Sequence, residues 1–149
     1  MISKILVPTD GSKTSRKAAA YAVDLAGRLG ASLIVVTVID KRLFLGQTIP
    51  ASKTPKNMEE TVEDYLRGVA DGYLGDIRKL CARRGVELKT VTRVGYPVEE
   101  ILEEARKSRA HLIVMGSRGR SALSATVLGS VSYGVLHNDK NIPILIVRE

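Results

Sequence analysis

Short, unbroken apolar runs alternating with amphipathic stretches predict an α/β fold built on a parallel sheet. Three observations carry that expectation. Ile5-Leu6-Val7, Leu33-Ile34-Val35-Val36 with Val38-Ile39, Leu112 to Met115 and Ile144 to Val147 are continuously apolar, as strands buried on both faces are. Between them lie segments with helical spacing, and the run Leu112 to Met115 leads directly into a glycine-rich turn.

Pro8 closes the first run, and Thr9-Asp10-Gly11-Ser12 turns the chain into a first helix. Ala18, Ala22, Leu25 and Leu29 fall on one face of that helix, with Gly30 as its stop. The strand, helix, strand order then implies a right-handed crossover. Residues Asp40 to Asn57 form the longest irregular stretch, and Asn57 with Glu60 resembles a capping box. Helix two follows with a stripe of Val62, Leu66, Val69, Tyr73, Ile77 and Leu80, ending at Arg83-Arg84-Gly85. Strand three, Val86 to Val94, alternates apolar with charged residues and reads as an edge. Gly95-Tyr96-Pro97 starts helix three, whose apolar set is Val98, Ile101, Leu102 and Ala105. Glu99, Glu100, Glu103 and Glu104 are read as its solvated face. After strand four a last helix reaches about His137, and Pro143 introduces strand five.

The turn after strand four carries the chemistry. Gly116, Gly119, Gly129 and Ser130 form a G-x2-G-x9-G-S pattern. Its glycines allow a backbone to approach a ligand closely. Gly129-Ser130 opens the last helix, where free N–H groups and the dipole favour an anion. No Asp or Glu occurs between Glu104 and Asp139, while Arg118 and Arg120 sit in the loop, so the charge suits phosphate. Both the Walker pattern and the G-x-G-x-x-G fingerprint are absent. On the residues alone Asp10 has two readings, a turn-forming carboxylate or a nucleotide ligand.

The chain has 149 residues, the length of one domain spanning 1–149. Its net charge of +7 is spread from Lys4 to Arg148, with no Trp, one Phe and no aromatic-basic cluster, so nucleic acid is not the expected partner. Cys81 has no disulfide partner and lies on an apolar helical face, which points to a reducing compartment. No signal-peptide pattern and no apolar run near the ~20 residues of a membrane helix is present, so a cytoplasmic protein without membrane contact is expected. One cysteine and two isolated histidines, His111 and His137, give no support to a zinc site or a hydrolytic triad.

Lys4 to Ser12, Val36-Thr37-Val38-Ile39-Asp40, and Gly116-Ser117-Arg118-Gly119 … Gly129-Ser130-Val131-Ser132 together resemble the universal stress protein family, in particular its ATP-binding branch. The resemblance implies an open five-stranded parallel sheet in the order 3-2-1-4-5 with helices on both faces, Rossmann-like and similar to the adenine nucleotide alpha hydrolase fold. It also implies that Asp10 and Gly116 face one crevice at the topological switch point. Carried onto this chain, it sets Pro8, Thr9, Asp10 and Val38 around adenine and ribose. Met115, Gly116, Arg118, Gly119, Gly129, Ser130, Val131 and Ser132 then hold ribose and phosphates. The implied ligand is ATP or AMP, with Mg2+ or Mn2+ carried by the phosphates. Strand five is apolar yet would be an edge, so a homodimer through Pro143 to Val147 is expected, as in the family. The implied role is a dimeric binding module responding to stress or energy state. A slow ATPase or phosphoryl-transfer enzyme is the alternative, with no Walker lysine and no second carboxylate evident for the reaction.

Overall fold

The computed structural model describes residues 1–44, 58–118 and 128–149. The elements are β1 (Lys4–Pro8), α1 (Lys13–Leu29), β2 (Ser32–Asp40), a 3-10 turn (Lys41–Phe44), α2 (Met58–Arg84), β3 (Leu88–Gly95), α3 (Pro97–Ser108), β4 (Leu112–Gly116), α4 (Ser130–Asn138) and β5 (Ile144–Val147). The expected Asn57 cap, Gly119, Arg120 and most of the stretch after Asp40 lie outside the described residues.

The five strands form one parallel sheet in the order β3-β2-β1-β4-β5. Side-chain alternation sends Ile5, Val7, Leu33, Val35 and Val114 to the core under α1 and α2. Leu6, Ile34, Val36, Ile113 and Met115 pack under α3 and α4. Full burial of each such side chain contributes roughly 1.5–3 kcal/mol, which explains why the inner strands carry unbroken apolar runs. Among the described residues β3 pairs only with β2, as its alternating sequence implies.

Several expectations need correction. The buried face of α1 is Ala18, Ala19, Ala22, Val23 and Ala26, while Leu29 is 49% exposed. Small residues let the helix sit close on the sheet, and the left-handed cap at Gly30 turns the chain away just after Leu29. In α2 the core residues are Ala70, Leu74, Ile77 and Cys81, while Val69 is 37% exposed. β3 begins at Leu88, because Val86 is spent in the turn, where its N–H bonds the Cys81 carbonyl.

The glutamates of α3 are not uniformly solvated. Glu104 is 2% exposed, and Arg93 of β3 reaches Glu104 at 2.9 Å, Glu100 at 2.5 Å and Glu103 at 3.4 Å. The hydrogen bond to Glu100, with lesser help from Glu104 and Glu103, lifts the Arg93 pKa above its ordinary value despite burial. Gly95 leaves room for this cluster, since a Cβ there would lie 2.5 Å from Glu100 Oε1. The ion cluster therefore clamps the start of α3 to the edge strand.

Candidate nucleotide site

Where strand order reverses, β1 and β4 diverge at their carboxyl ends toward opposite crossovers and leave a crevice of about 480 Å3. Its floor comes from the ends of β1, β2 and β4, and its far end is the N-terminus of α4. Pro8, Thr9, Asp10, Val38, Met115, Gly116, Arg118, Gly129, Ser130, Val131 and Ser132 all line it.

The turn from β1 into α1 is held locally. Gly11 takes a φ of 77°, Asp10 Oδ1 accepts from Ser12 N–H at 2.9 Å, and Ser12 caps α1 by accepting from Ser15 N–H. Asp10 thus forms the turn and lines the crevice as well. The Thr9 hydroxyl donates to Ser15 Oγ and accepts from Gly11 N–H, so it organises the turn from a buried position.

At the other wall, Gly129 caps α4 and its N–H donates to the Ser117 carbonyl at 2.6 Å, tying the two ends of the glycine loop together. The first intrahelical bond runs from Tyr133 N–H to Gly129 carbonyl. The N–H groups of Ser130, Val131 and Ser132 therefore precede the helical ladder, as the leading donors of a helix do. No acidic residue stands in the first turn of α4. The Ser132 hydroxyl is committed inward, donating to the Gly116 carbonyl at 2.7 Å. Thr14 Oγ1 donates to the Arg118 carbonyl, and the Arg118 guanidinium lies 3.1 Å from Glu149. An oriented set of backbone donors, a helix N-terminus and one nearby guanidinium make an anion cradle.

Three contributions were not foreseen. Asp40 and Arg42 line the crevice as a bidentate pair, with contacts of 2.6 to 3.0 Å. Hydrogen bonds from the Arg42 side chain hold the Asp40 carboxyl below the usual carboxylate range. Pro97 and Ile101 of α3 also reach the crevice. So do Leu66, Val69 and Tyr73 of α2, which form an apolar wall. The signal for that wall was present, because α2 carries more apolar residues than one core-facing stripe requires. The histidines lie elsewhere: His111 Nδ1 accepts from Ser3 and Lys4 N–H, and His137 stacks on Tyr133.

The family model for the universal stress protein family matches residues 1–148. The chain belongs to the universal stress protein family. Universal stress protein MJ0531 of Methanocaldococcus jannaschii is 34% identical over 149 residues, covering 100% of this chain and 84% of that protein. The solved structure of protein MJ0577, a universal stress protein of the same organism, superposes with a TM-score of 0.86 at 30% identity, covering 100% of this chain and 97% of that one. A universal stress protein solved in complex with cAMP gives a TM-score of 0.68 at 26% identity, covering 99% of this chain and 97% of that one. The sheet order of this chain is the expected 3-2-1-4-5. Among the described residues no helix is long and apolar enough to cross a membrane.

Proposed function

We propose that this universal stress protein binds an adenine nucleotide, ATP or AMP, in the switch-point crevice and acts as a binding module in a stress or energy response. The observation that carries this reading is the meeting of the β1 turn and the α4 N-terminus across one cavity, Asp10 on one side and Gly129 to Ser132 on the other. The relative solved with cAMP adds weight, since cAMP is an adenine nucleotide. Phosphates belong at the α4 N-terminus and Arg118, base and ribose at Pro8, Thr9, Asp10 and Val38. Gly119 belongs to the same cradle by its place in the motif. Among the described residues no group of three or more His, Cys, Asp or Glu converges. Mg2+ or Mn2+ would accordingly ride on the phosphates, which supply most of its oxygen ligands. Among the described residues the acidic ones lining the crevice are Asp10 and Asp40, and both are engaged by the fold. Binding is thus favoured over turnover, with slow hydrolysis the most the site should support.

Titration of the protein with ATP and Mg2+ by calorimetry should show one site per chain, weakened about tenfold by Asp10→Ala, as loss of a charged hydrogen-bond acceptor predicts. Absence of binding in the folded wild-type protein would refute the nucleotide reading, and undiminished affinity in the variant would return Asp10 to its turn.

The same proposal includes a homodimer through Pro143 to Val147. Among the described residues β5 pairs only with β4, and its Ile144, Leu145 and Ile146 remain half-buried. An apolar edge strand with unpaired backbone groups is a template for association. Sedimentation at micromolar concentration should give a dimer, and Leu145→Lys should shift it toward monomer. A strictly monomeric wild type would contradict the interface.

A further inference from the structure

We propose that Thr37 is a ligand-reading residue: its hydroxyl hydrogen-bonds the edge of the nucleotide base in a compartment of the crevice next to α2. The inference rests on the nucleotide reading above and adds a residue and a subsite to it.

Thr37 is 3% exposed, and its Oγ1 is a buried side-chain polar atom without a hydrogen-bond partner among the described residues. It nevertheless lines the crevice. A buried hydroxyl left unpaired costs roughly 1–3 kcal/mol, whereas valine would fill the same space at no polar cost. β2 is otherwise apolar from Leu33 to Ile39, so a single hydroxyl in that run has to be explained. Alternation along β2 places Thr37 on the face of Leu33 and Val35, toward α1 and α2. Following the β1–β2 register of Pro8 with Val36, its neighbour on β1 is Thr9, whose own hydroxyl is already paired with Ser15. The unsatisfied group is therefore Thr37 alone of the two.

Its position selects the part of the ligand. β2 is separated from β4 by β1, two strand spacings or about 10 Å from the phosphate cradle. That distance is the reach of a nucleoside, not of a phosphate oxygen. Leu66, Val69 and Tyr73 give the compartment an apolar wall suited to the face of a planar heterocycle. A hydroxyl can donate to a ring nitrogen or accept from an exocyclic amine, both of which lie on the edge of adenine.

Calorimetry on the full chain should compare wild type, Thr37→Val and Thr37→Ser with two probes, ATP and inorganic triphosphate. Thr37→Val should bind ATP about tenfold more weakly and bind triphosphate as the wild type does, while Thr37→Ser restores ATP affinity. Thermal denaturation of ligand-free Thr37→Val should show an unchanged or raised melting temperature. Wild-type binding of ATP with no loss in Thr37→Val would overturn this inference and leave the nucleotide reading standing. Equal weakening toward both probes, or a lowered ligand-free melting temperature, would also overturn it, since the hydroxyl would then have a structural partner. Failure of wild type to bind ATP would remove both.

Discussion

Arg93→Met should lower stability by roughly 3–5 kcal/mol. At this chain length that corresponds to roughly 10 °C in melting temperature. The reason lies in the asymmetry of burial. Glu104 has a side chain 3% exposed, and Arg93 Nη1 holds it at 2.9 Å. Removing the guanidinium strands a desolvated carboxylate and releases Glu100 and Glu103 from the same partner. The double variant Arg93→Met/Glu104→Leu should recover most of the loss, because an apolar pair of similar volume carries no desolvation penalty. Thermal melts of the single and double variants decide the matter. If Arg93→Met melted within a degree or two of wild type, Glu104 would have another way of meeting solvent. The loss should also be nearly independent of added salt, unlike that of the exposed Arg28–Asp24 pair, since buried charges are poorly screened.

Gly116→Val should impair folding and ligand binding together. A Cβ at Gly116 would stand 2.9 Å from the Thr14 carbonyl oxygen and 3.0 Å from its carbon, and both are backbone atoms of α1. Relief requires moving the first turn of α1 or the end of β4. The Gly116 carbonyl also accepts from Ser132 of α4, and Thr14 also bonds the Arg118 carbonyl, so either shift spreads through the cradle. Overpacking of this kind costs about 1–3 kcal/mol, and ATP affinity should fall by more than about tenfold, equivalent to 1.4 kcal/mol. Gly129→Ala makes the contrast. Gly129 has φ −68° and ψ 163°, extended backbone open to any residue. The backbone there makes no glycine-specific demand, so Gly129→Ala should melt close to wild type and still lose ATP. Calorimetry and melting curves on both variants separate the two effects. If Gly129→Ala bound ATP normally, close ligand approach at the α4 cap would be disproved.

The sequence by itself determined the α/β class and the five strands, since an unbroken apolar run is stable only where both faces of a strand are covered. It also marked both ends of the crevice: the turn Asp10 to Ser12 forms from neighbours within a few residues, and Gly129 accepts the first helical bond of α4 from Tyr133, although its own N–H is held by the more distant Ser117 carbonyl. Sheet order came through the family resemblance, and the β3-β2-β1-β4-β5 pairing agrees with it. Only the tertiary structure decided what depends on distant residues meeting. Glu104 looked like one of four solvated glutamates until Arg93, eleven positions earlier on a different element, covered it. Leu66 and Val69 looked like core until Ala70, Leu74 and Ile77 took the sheet-facing side and left them toward the crevice, while Tyr73 both packs against the core and lines the crevice. Thr37 was one more residue of a buried strand until its hydroxyl proved to lack a hydrogen-bond partner among the described residues, on a residue that lines the crevice. Periodicity encodes which face is buried, but the partner that a buried polar atom finds, or lacks, is set by packing across the sheet.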